Sequence, residues 1–467
     1  MSVSIFDSFL TTPDMIAAFD DAAVLQAMFA FEAALARAQA AEGLIPPTAA
    51  VAIAGVCNAQ LYDIPAIVHA GRRAGSLAIP LVKELTRTVA LYDANAARYV
   101  HWGSTSQDVL DTAMVLVTRE ALQLLDHALH DLAGHLHALA TRHLATPVLA
   151  RTLMQPAQVT SLGFKAAGWL APLVRAREQV RAAAARVLQL QLGGAVGTLS
   201  TMGEHGEAVA NSVAKALRLK VADAAWHTQR DEWVRLGMEV AVLTGSLGKL
   251  ATDLSLMAQG EVAELAEPSG NGRGGSSAMP HKRNPVSSMI ALAAARRTPQ
   301  HAAALLACMG QEHERGLGNW QAELAEWPNL FLSAHGALSA LSDAFAGLKV
   351  DPGRMLRNIG ALHGLVFAEA ASSYLAGAIG RPRAHALLEE LAGRASDGDG
   401  LLALLAEAVQ ADPELAAHVD QDVLAGLFDP VAAAAPGRRL AERQLHGLQT
   451  RMAELDATHP FTSEFTE

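Results

Sequence analysis

The feature that most constrains this chain is its long series of apolar residues at three- and four-residue spacing. Such spacing places the apolar side chains on one face of an α-helix. It predicts helices over 112–146, 157–192, 206–217, 231–266, 285–311 and 320–348, several of them 25 residues or longer. Alternating strand patterns are scarce. We therefore expect an all-α fold built on a bundle of long helices. Many of the apolar stripes are wide, which indicates burial on more than one side and favours a bundle shared with other subunits.

Polar or glycine-rich breaks divide this pattern. "HWGSTSQD" (101–108) precedes the first long helix, and "EPSGNGRGGSSAMPHKRNP" (267–285) is the longest irregular polar stretch between helices. Shorter helical stretches follow position 350. The sequence predicts an N-terminal helical domain over 1–111, a central long-helix bundle over 112–350 that carries the loop 267–285, and a C-terminal helical domain over 351–467.

Composition excludes several classes of protein. The formal net charge of −11 argues against a general nucleic-acid binder, which would show a basic face. The two cysteines, Cys57 and Cys308, are too few for a disulfide framework or a cysteine metal site. No basic leader and no apolar run of about 18 residues is visible. We expect a soluble, cytoplasmic protein that binds neither nucleic acid nor membrane.

The loop "GRGGSSAMPHKRNP" (272–285) carries residue types suited to an anionic substrate. Its glycines would let the backbone close over a ligand. Ser276 and Ser277 offer hydroxyl and N–H donors, and Lys282 and Arg283 bring positive charge. Cations and N–H donors stabilise the enediolate that forms when a carbon next to a carboxylate loses its proton. The alternative is a solvated loop joining two helices. A formal match to G-x-G-x-x-G within the loop follows a helix, so it does not indicate nucleotide binding.

Three segments carry a family resemblance. "GSSAMPHKRNP" (275–285), "HWGSTSQDVLDTA" (101–113) and "ARTLMQPAQ" (150–158) resemble the signature segments of the fumarase/aspartase superfamily, in its order and spacing. The resemblance implies the L-aspartase-like fold, with three helical domains and a central long-helix bundle. It also implies a homotetramer with active sites shared between subunits, a small carboxylate substrate, and no metal or organic cofactor.

The same resemblance implies roles for individual residues. Ser276 matches the loop serine that acts as the catalytic base, and Lys282 is the second catalytic candidate; which of them handles the carbon-bound proton stays open. The expected substrate-binding residues are His101, Ser104, Thr105, Ser106, Arg151, Trp226, Ser277, Met279, Arg283, Asn284 and Arg315. An ordinary ion pair within the bundle is the alternative for Arg151 and Arg315.

Leu153 indicates which reaction to expect. Amine-releasing members of the superfamily keep an acid histidine in the third segment, where this chain has leucine. A carboxylate leaving group needs no acid, because its conjugate acid has a pKa of roughly 4. In the forward direction, a carboxylate would add to a double bond of the same molecule and give a lactone. The sequence around 313–323 also resembles the cycloisomerase branch, which lactonises 3-carboxymuconate in the protocatechuate branch of the β-ketoadipate pathway. The alternatives are a C–N lyase of the adenylosuccinate-lyase type and a non-catalytic helical oligomer.

Overall fold

The computed structural model describes residues 5–270, 272–275, 278–279, 281–395, 400–458 and 461. Helices dominate these residues, as the periodicity predicts. The N-terminal part consists of α1 (Ile5–Ser8), α2 (Pro13–Ala18), α3 (Asp21–Ala41), α4 (Pro47–Gly55), α5 (Ile64–Ala74) and α6 (Ala78–Tyr92). The Asp20 side chain accepts a hydrogen bond from the Ala23 N–H at 2.7 Å and fixes the start of α3. Along α3, Leu25, Phe29 and Phe31 are fully buried.

The long helices form one continuous hydrophobic core. They are α7 (Ser106–Arg142), α8 (Leu162–Val187), α9 (Gly206–Leu217), α10 (Asp231–Met257), α11 (Val286–Ala307) and α12 (Asn319–Ala346). Leu122 on α7, Leu170 on α8, Leu247 on α10 and Phe331 on α12 are fully buried in this core. The prediction of an all-α fold around a long-helix bundle is confirmed.

Two of the predicted helices are wrong in part. The stretch predicted as helix 157–192 begins as a strand, because β1 (Pro147–Thr152) pairs antiparallel with β2 (Gln155–Ser161) before α8 starts. Leu149 and Val159 face each other in this hairpin and bury their side chains in a small core of their own. The helix predicted over 231–266 ends at Met257, and β3 (Leu265–Ala266) pairs with β4 (Lys349–Val350). The strands β3 and β4 have two residues each, which is too short to show an alternating pattern.

The chain after β4 continues in shorter helices and then in α19 (Pro430–Asp456), which has 27 residues. The shorter helices are α13 (Pro352–Gly360), α14 (Ala368–Ile379), α15 (Arg381–Ala395), α16 (Leu401–Ala411), α17 (Pro413–His418) and α18 (Gln421–Gly426). Short 3₁₀ turns occur at Ala59–Leu61, Ala96–Tyr99, Gly203–His205 and Leu365–Phe367. Leu375, Leu388 and Leu405 belong to a core separate from that of the bundle. In contrast, α19 packs Leu445 and Leu448 into the bundle core. The domain boundaries near 111 and 350 stay a prediction.

Apolar side chains also lie on the outside of the bundle. Val242 on α10 and Met289 on α11 are 62% and 56% exposed. By length and composition α10 could cross a membrane, but half of its apolar window is buried inside the fold, as in a core helix. The outward apolar side chains match the wide stripes seen in the sequence.

Candidate functional site

The polar loop 101–105 is fixed by one buried carboxylate, that of Asp108. The Thr105 N–H donates to Asp108 Oδ2 at 3.0 Å, which closes the first turn of α7. The backbone N–H groups of Gly193 and Gly194 donate to the two oxygens at 3.0 and 2.9 Å, and His227 Nε2 lies 2.8 Å from Oδ1. Gly194 has φ +70, a conformation that favours glycine. Asp108 therefore ties the start of α7 to the glycine-rich segment and to His227.

Arg315 forms hydrogen bonds with two of the predicted substrate-binding residues, Thr105 and Ser106, at the start of α7. Its Nη1 donates to Thr105 Oγ1 at 2.6 Å, and its Nη2 donates to Ser106 Oγ at 3.1 Å. The guanidinium is bonded to hydroxyls and not to a carboxylate, so its charge is not neutralised by these contacts. Thr105 is the N-cap of a 37-residue helix, whose first N–H groups also favour an anion. This group of three residues, the α7 anion site, has the chemistry to bind a carboxylate.

A buried ion-pair network supports this end of α7. Arg230 is buried and donates to Asp111 Oδ2 at 3.0 Å and to both oxygens of Glu323. Burial opposes its charge, but the carboxylates of Asp111 and Glu323 more than compensate and raise its pKa. Trp320 Nε1 also donates to Asp111 Oδ1 at 3.0 Å. The network fixes α7, α10 and α12 relative to one another.

Trp226 packs against this ion-pair network. Its side chain is buried, and its indole N–H already donates to the Leu190 carbonyl at 3.1 Å. The Arg230 guanidinium stacks 4.5 Å from the ring centre. Within this chain the Trp226 indole is thus buried and hydrogen-bonded, and its expected role in binding substrate stays a prediction. Ser104 likewise has a structural contact, with its Oγ 3.4 Å from Asp108 Oδ2.

His101 forms a close pair with Glu32 of α3. The distance between His101 Nδ1 and Glu32 Oε1 is 2.5 Å, and Glu32 is 1% exposed. Burial lowers the pKa of His101, but the adjacent Glu32 carboxylate and, more weakly, Asp108 outweigh burial and raise it. The pair therefore favours a positively charged imidazole in the loop that leads to Thr105.

Arg151 lies in a different group of residues. It sits at the bulge of β1, and its guanidinium forms a bidentate ion pair with the fully buried Glu264, at 3.1 and 2.9 Å. Asn358 Nδ2 donates to Glu264 Oε1 at 2.8 Å. Leu153 and Met154 follow at the hairpin tip, where they are 97% and 70% exposed. Both have positive φ, which is unfavourable for residues other than glycine. This tip presents apolar side chains at the position where the family resemblance implies an acid histidine in amine-releasing members.

The described part of the loop 267–285 presents cations to solvent. His281, Lys282 and Arg283 are exposed, and Met279 is 43% exposed. Ser276 and Ser277, the predicted base and its neighbour, lie outside the described residues.

The base of the loop is fixed by short-range contacts. The Asn284 N–H donates to the Gly274 carbonyl at 2.8 Å. Gly274 has φ +65, and a Cβ there would lie 2.6 Å from the Asn284 carbonyl oxygen, so glycine is required. Glu267 accepts the N–H groups of Ser287 and Ser288 at 2.9 Å each and thereby caps α11.

The predicted site residues fall into two groups at opposite ends of the bundle. Thr105 caps the start of α7, whereas Arg151 follows its end, and 37 helical residues span about 55 Å. Arg315 lies just before the start of α12. Arg273 belongs to the loop 267–285, called the signature loop below, and lies 3.8 Å from Asp343 near the other end of α12. Among the described residues, no hydrogen bond or ion pair joins the α7 anion site to Arg151 or to Lys282.

Sequence reasoning missed the acidic residues that hold these groups. Glu32 and Glu264 reach their partners across distant positions of the chain, and no local pattern marks them. Asp111 stands in the segment 101–113, but its partners Arg230 and Trp320 are distant in sequence. Asp108 could have been found, since Thr105-x-x-Asp108 has the spacing of an N-terminal capping motif.

Comparison with known proteins gives matches over nearly the whole chain. A family model described as Lyase matches residues 9–298. The 3-carboxy-cis,cis-muconate cycloisomerase of Bradyrhizobium diazoefficiens is 46% identical over 440 residues, which cover 94% of this chain and 97% of that relative. The nitrosuccinate lyase of Streptomyces davaonensis is 40% identical and covers 92% of both chains. Among solved structures, the 3-carboxy-cis,cis-muconate lactonizing enzyme from Pseudomonas putida has a TM-score of 0.90 at 40% identity, covering 97% of this chain and 100% of that one.

Proposed function

This chain belongs to the lyase family whose model spans residues 9–298, and we propose that it lactonises 3-carboxy-cis,cis-muconate. The product is 4-carboxymuconolactone, an intermediate of protocatechuate breakdown. The observation that carries this choice of reaction is Leu153 at the hairpin tip, which is 97% exposed and cannot transfer a proton. A leaving group that departs as a carboxylate needs no acid at this position. The similarity over nearly the whole chain favours the cycloisomerase over the C–N lyase and over a non-catalytic oligomer.

The reaction forms one C–O bond and one C–H bond. A carboxylate oxygen of the substrate adds to an alkene carbon, and the electron pair of the double bond moves onto the neighbouring carboxylate as an enediolate. One proton is then added to carbon, which gives the lactone. Because nucleophile and alkene belong to one molecule, the attack gains from proximity and needs no activating base. The protein must hold three carboxylates, stabilise the enediolate and supply the proton.

The α7 anion site is proposed to bind one substrate carboxylate. Arg315 supplies a fixed charge, and the Thr105 and Ser106 hydroxyls supply donors at the positive end of α7. Lys282 and Arg283 are exposed on the signature loop and would meet the carboxylate that becomes the enediolate. Asn284, Met279, Ser276 and Ser277 keep their proposed roles on that loop. Ser276 and Lys282 are both retained as candidates for the proton transfer.

We propose that a second copy of the chain completes this site. The α7 anion site and the signature loop lie at opposite ends of helices that are about 40 to 55 Å long. An antiparallel copy, packed through the outward apolar faces of α10 and α11, would place its signature loop next to the α7 anion site of the first chain. Arg151 and the Leu153 tip would enter the site in the same way. We propose a homotetramer with shared active sites, acting in the cytoplasm without metal or organic cofactor.

Isotope incorporation tests the reaction. In D₂O, the proposed addition places one deuterium on carbon in the lactone, which proton NMR and mass spectrometry detect. A product without carbon-bound deuterium would contradict protonation at carbon. Release of fumarate from adenylosuccinate would identify the C–N lyase, and turnover of nitrosuccinate in preference to the muconate would favour the activity named for the Streptomyces relative.

Mixing of inactive variants tests the shared site. Arg315→Gln and Lys282→Met would each inactivate their own oligomer. After joint denaturation and refolding, random assortment should restore about a quarter of the sites if the two residues come from different subunits. Recovery of no activity, with each wild-type control refolding normally, would place both residues in one chain's site.

A further inference from the structure

Glu32 is a buried carboxylate next to the predicted site, and the proposed function does not yet use it. It is 1% exposed, and its Oε1 lies 2.5 Å from His101 Nδ1. Its other oxygen, Oε2, is buried and has no hydrogen-bond partner among the described residues. A buried carboxylate with so few donors is costly unless its one partner carries a positive charge. The environment of Glu32 thus calls for a protonated His101.

His101 is held with one ring nitrogen inward and the other outward. Its side chain is 17% exposed, and within the described part of the chain Nε2 takes part in no hydrogen bond. The residue has φ +59, which costs an ordinary residue free energy and is sustained by the surrounding fold. The Ser104 N–H donates to the His101 carbonyl at 3.3 Å, so the same turn places both His101 and Thr105. The free nitrogen is therefore available on the loop of the α7 anion site.

We propose that Glu32 is a positioning residue that keeps His101 as an imidazolium whose Nε2–H donates to a substrate carboxylate next to Arg315. The inference rests on the proposed function and deepens it. Glu32 does not touch the substrate. It fixes the ring through Nδ1 and supplies the negative charge that keeps the second proton on the ring. A tricarboxylate would then meet two cations at this end of α7.

The charged groups around the pair agree with this assignment. Glu32 on α3 and Asp108 on α7 both favour the charged imidazole, whereas burial opposes it. Burial and, more weakly, the Glu32 carboxylate raise the pKa of the Cys57 thiol against the opposing charge of Arg37, so the thiol stays neutral. Because the pKa of His101 is raised, its positive charge is present below that pKa and is lost as the pH rises through it. Substrate affinity should fall over the same range.

A direct titration tests the protonation state without any assay of turnover. Histidine-labelled protein is followed by NMR from pH 5 to 9, and the His101 signal is identified by its loss in His101→Asn. We expect His101 to titrate above the ordinary value of about 6.5. In Glu32→Gln, which keeps an acceptor but removes the charge, the titration should move down by about one pH unit. A wild-type titration at or below about 6.5 would overturn the proposal, even if Glu32→Gln did not fold.

Kinetic constants distinguish a positioning role of Glu32 in substrate binding from a purely structural role. In Glu32→Gln, KM for the muconate should rise about tenfold, the loss expected for one charge-assisted hydrogen bond, while kcat changes by less than about threefold. The alkaline fall of kcat/KM should move to lower pH together with the NMR titration. The matched control is Glu326→Gln, which breaks a similar pair with His301 at 2.6 Å and should leave both profiles unchanged.

The outcomes separate the two claims. A shifted titration with an unmoved kinetic profile would show that His101 is charged but does not bind substrate, and would overturn the proposal. A wild-type protein that does not consume the muconate would overturn the proposed function, while the NMR titration would still decide whether Glu32 holds the proton on His101.

Discussion

Arg315 donates a hydrogen bond of 2.6 Å to the Thr105 hydroxyl, across 210 positions of sequence. Arg315 makes this contact with a hydroxyl and not with a carboxylate, so its positive charge can attract an anionic ligand. The sequence resemblance selected Thr105 and Arg315 separately, and the fold places them together. This relationship is the physical core of the proposed carboxylate site.

Arg315→Lys should weaken substrate binding more than turnover. Lysine keeps the charge but cannot donate to Thr105 and Ser106 in the fixed geometry of the guanidinium. We expect KM to rise by about 10- to 100-fold, with kcat within about fivefold. Initial rates over a range of muconate concentrations measure both. Arg383→Lys, which alters an exposed pair with Asp412 and Glu414, is the control and should leave both constants unchanged. An unchanged KM in Arg315→Lys would remove Arg315 from the site.

Lys282→Met should nearly abolish turnover and leave the fold intact. Lys282 is exposed, so the replacement creates no cavity and breaks no buried contact. Loss of its charge, and of any proton transfer, should lower kcat by at least about a thousandfold. Circular dichroism and size-exclusion chromatography check the fold, and Lys215→Met on the exposed face of α9 is the matched control. Retention of most activity would contradict a catalytic role for Lys282.

Arg230→Met should destabilise the protein strongly. The change leaves the carboxylates of Asp111 and Glu323 buried without their main cation. Breaking one partner of a buried ion pair costs about 3–5 kcal/mol in free energy of unfolding. Urea unfolding at a fixed protein concentration measures the loss. Arg235→Met, which removes an exposed arginine 3.8 Å from Glu232, should change stability by less than about 1 kcal/mol. Equal losses in both variants would contradict a supporting role for Arg230.

Leu153→His should not accelerate lactonisation. The replacement restores a proton-transferring side chain at the tip where related amine lyases have one. Since a carboxylate nucleophile carries no proton to remove, kcat/KM for the muconate should stay equal or fall. Leu153→Asn, similar in size and unable to transfer a proton at neutral pH, is the control for shape. A rise in kcat/KM specific to the histidine would show that the reaction does need an acid or base there.

Much of the fold was readable from the sequence because the bundle obeys local rules. The first long helix, predicted over 112–146, is α7, which begins earlier because Thr105 and Asp108 form its cap. The hairpin of β1 and β2 escaped prediction since its strands are short and Leu149 and Val159 pack in a core with Ile359, Phe367 and Ala434, which are distant in sequence. Short strands stabilised by remote contacts leave no periodic signal.

The site was predictable where motifs mark it and not where tertiary contacts make it. Thr105, Ser106 and Lys282 stand in segments that resemble known signatures. Glu32 does not, because its role depends on a histidine 69 positions away. The burial of Trp226 was also invisible in sequence, since a tryptophan before a helix suits a pocket and a core equally well. Long-range pairing of charges is decided by the fold, and only a structure displays it.

The most direct test of the central claim follows the ultraviolet absorbance of 3-carboxy-cis,cis-muconate with purified protein and excess EDTA. We predict rapid loss of the conjugated-diene absorbance, with 4-carboxymuconolactone as the product and a rate unaffected by the chelator. Persistence of the diene absorbance with correctly folded protein would contradict the proposed reaction, and a rate abolished by EDTA and restored by a metal would contradict its independence of cofactors.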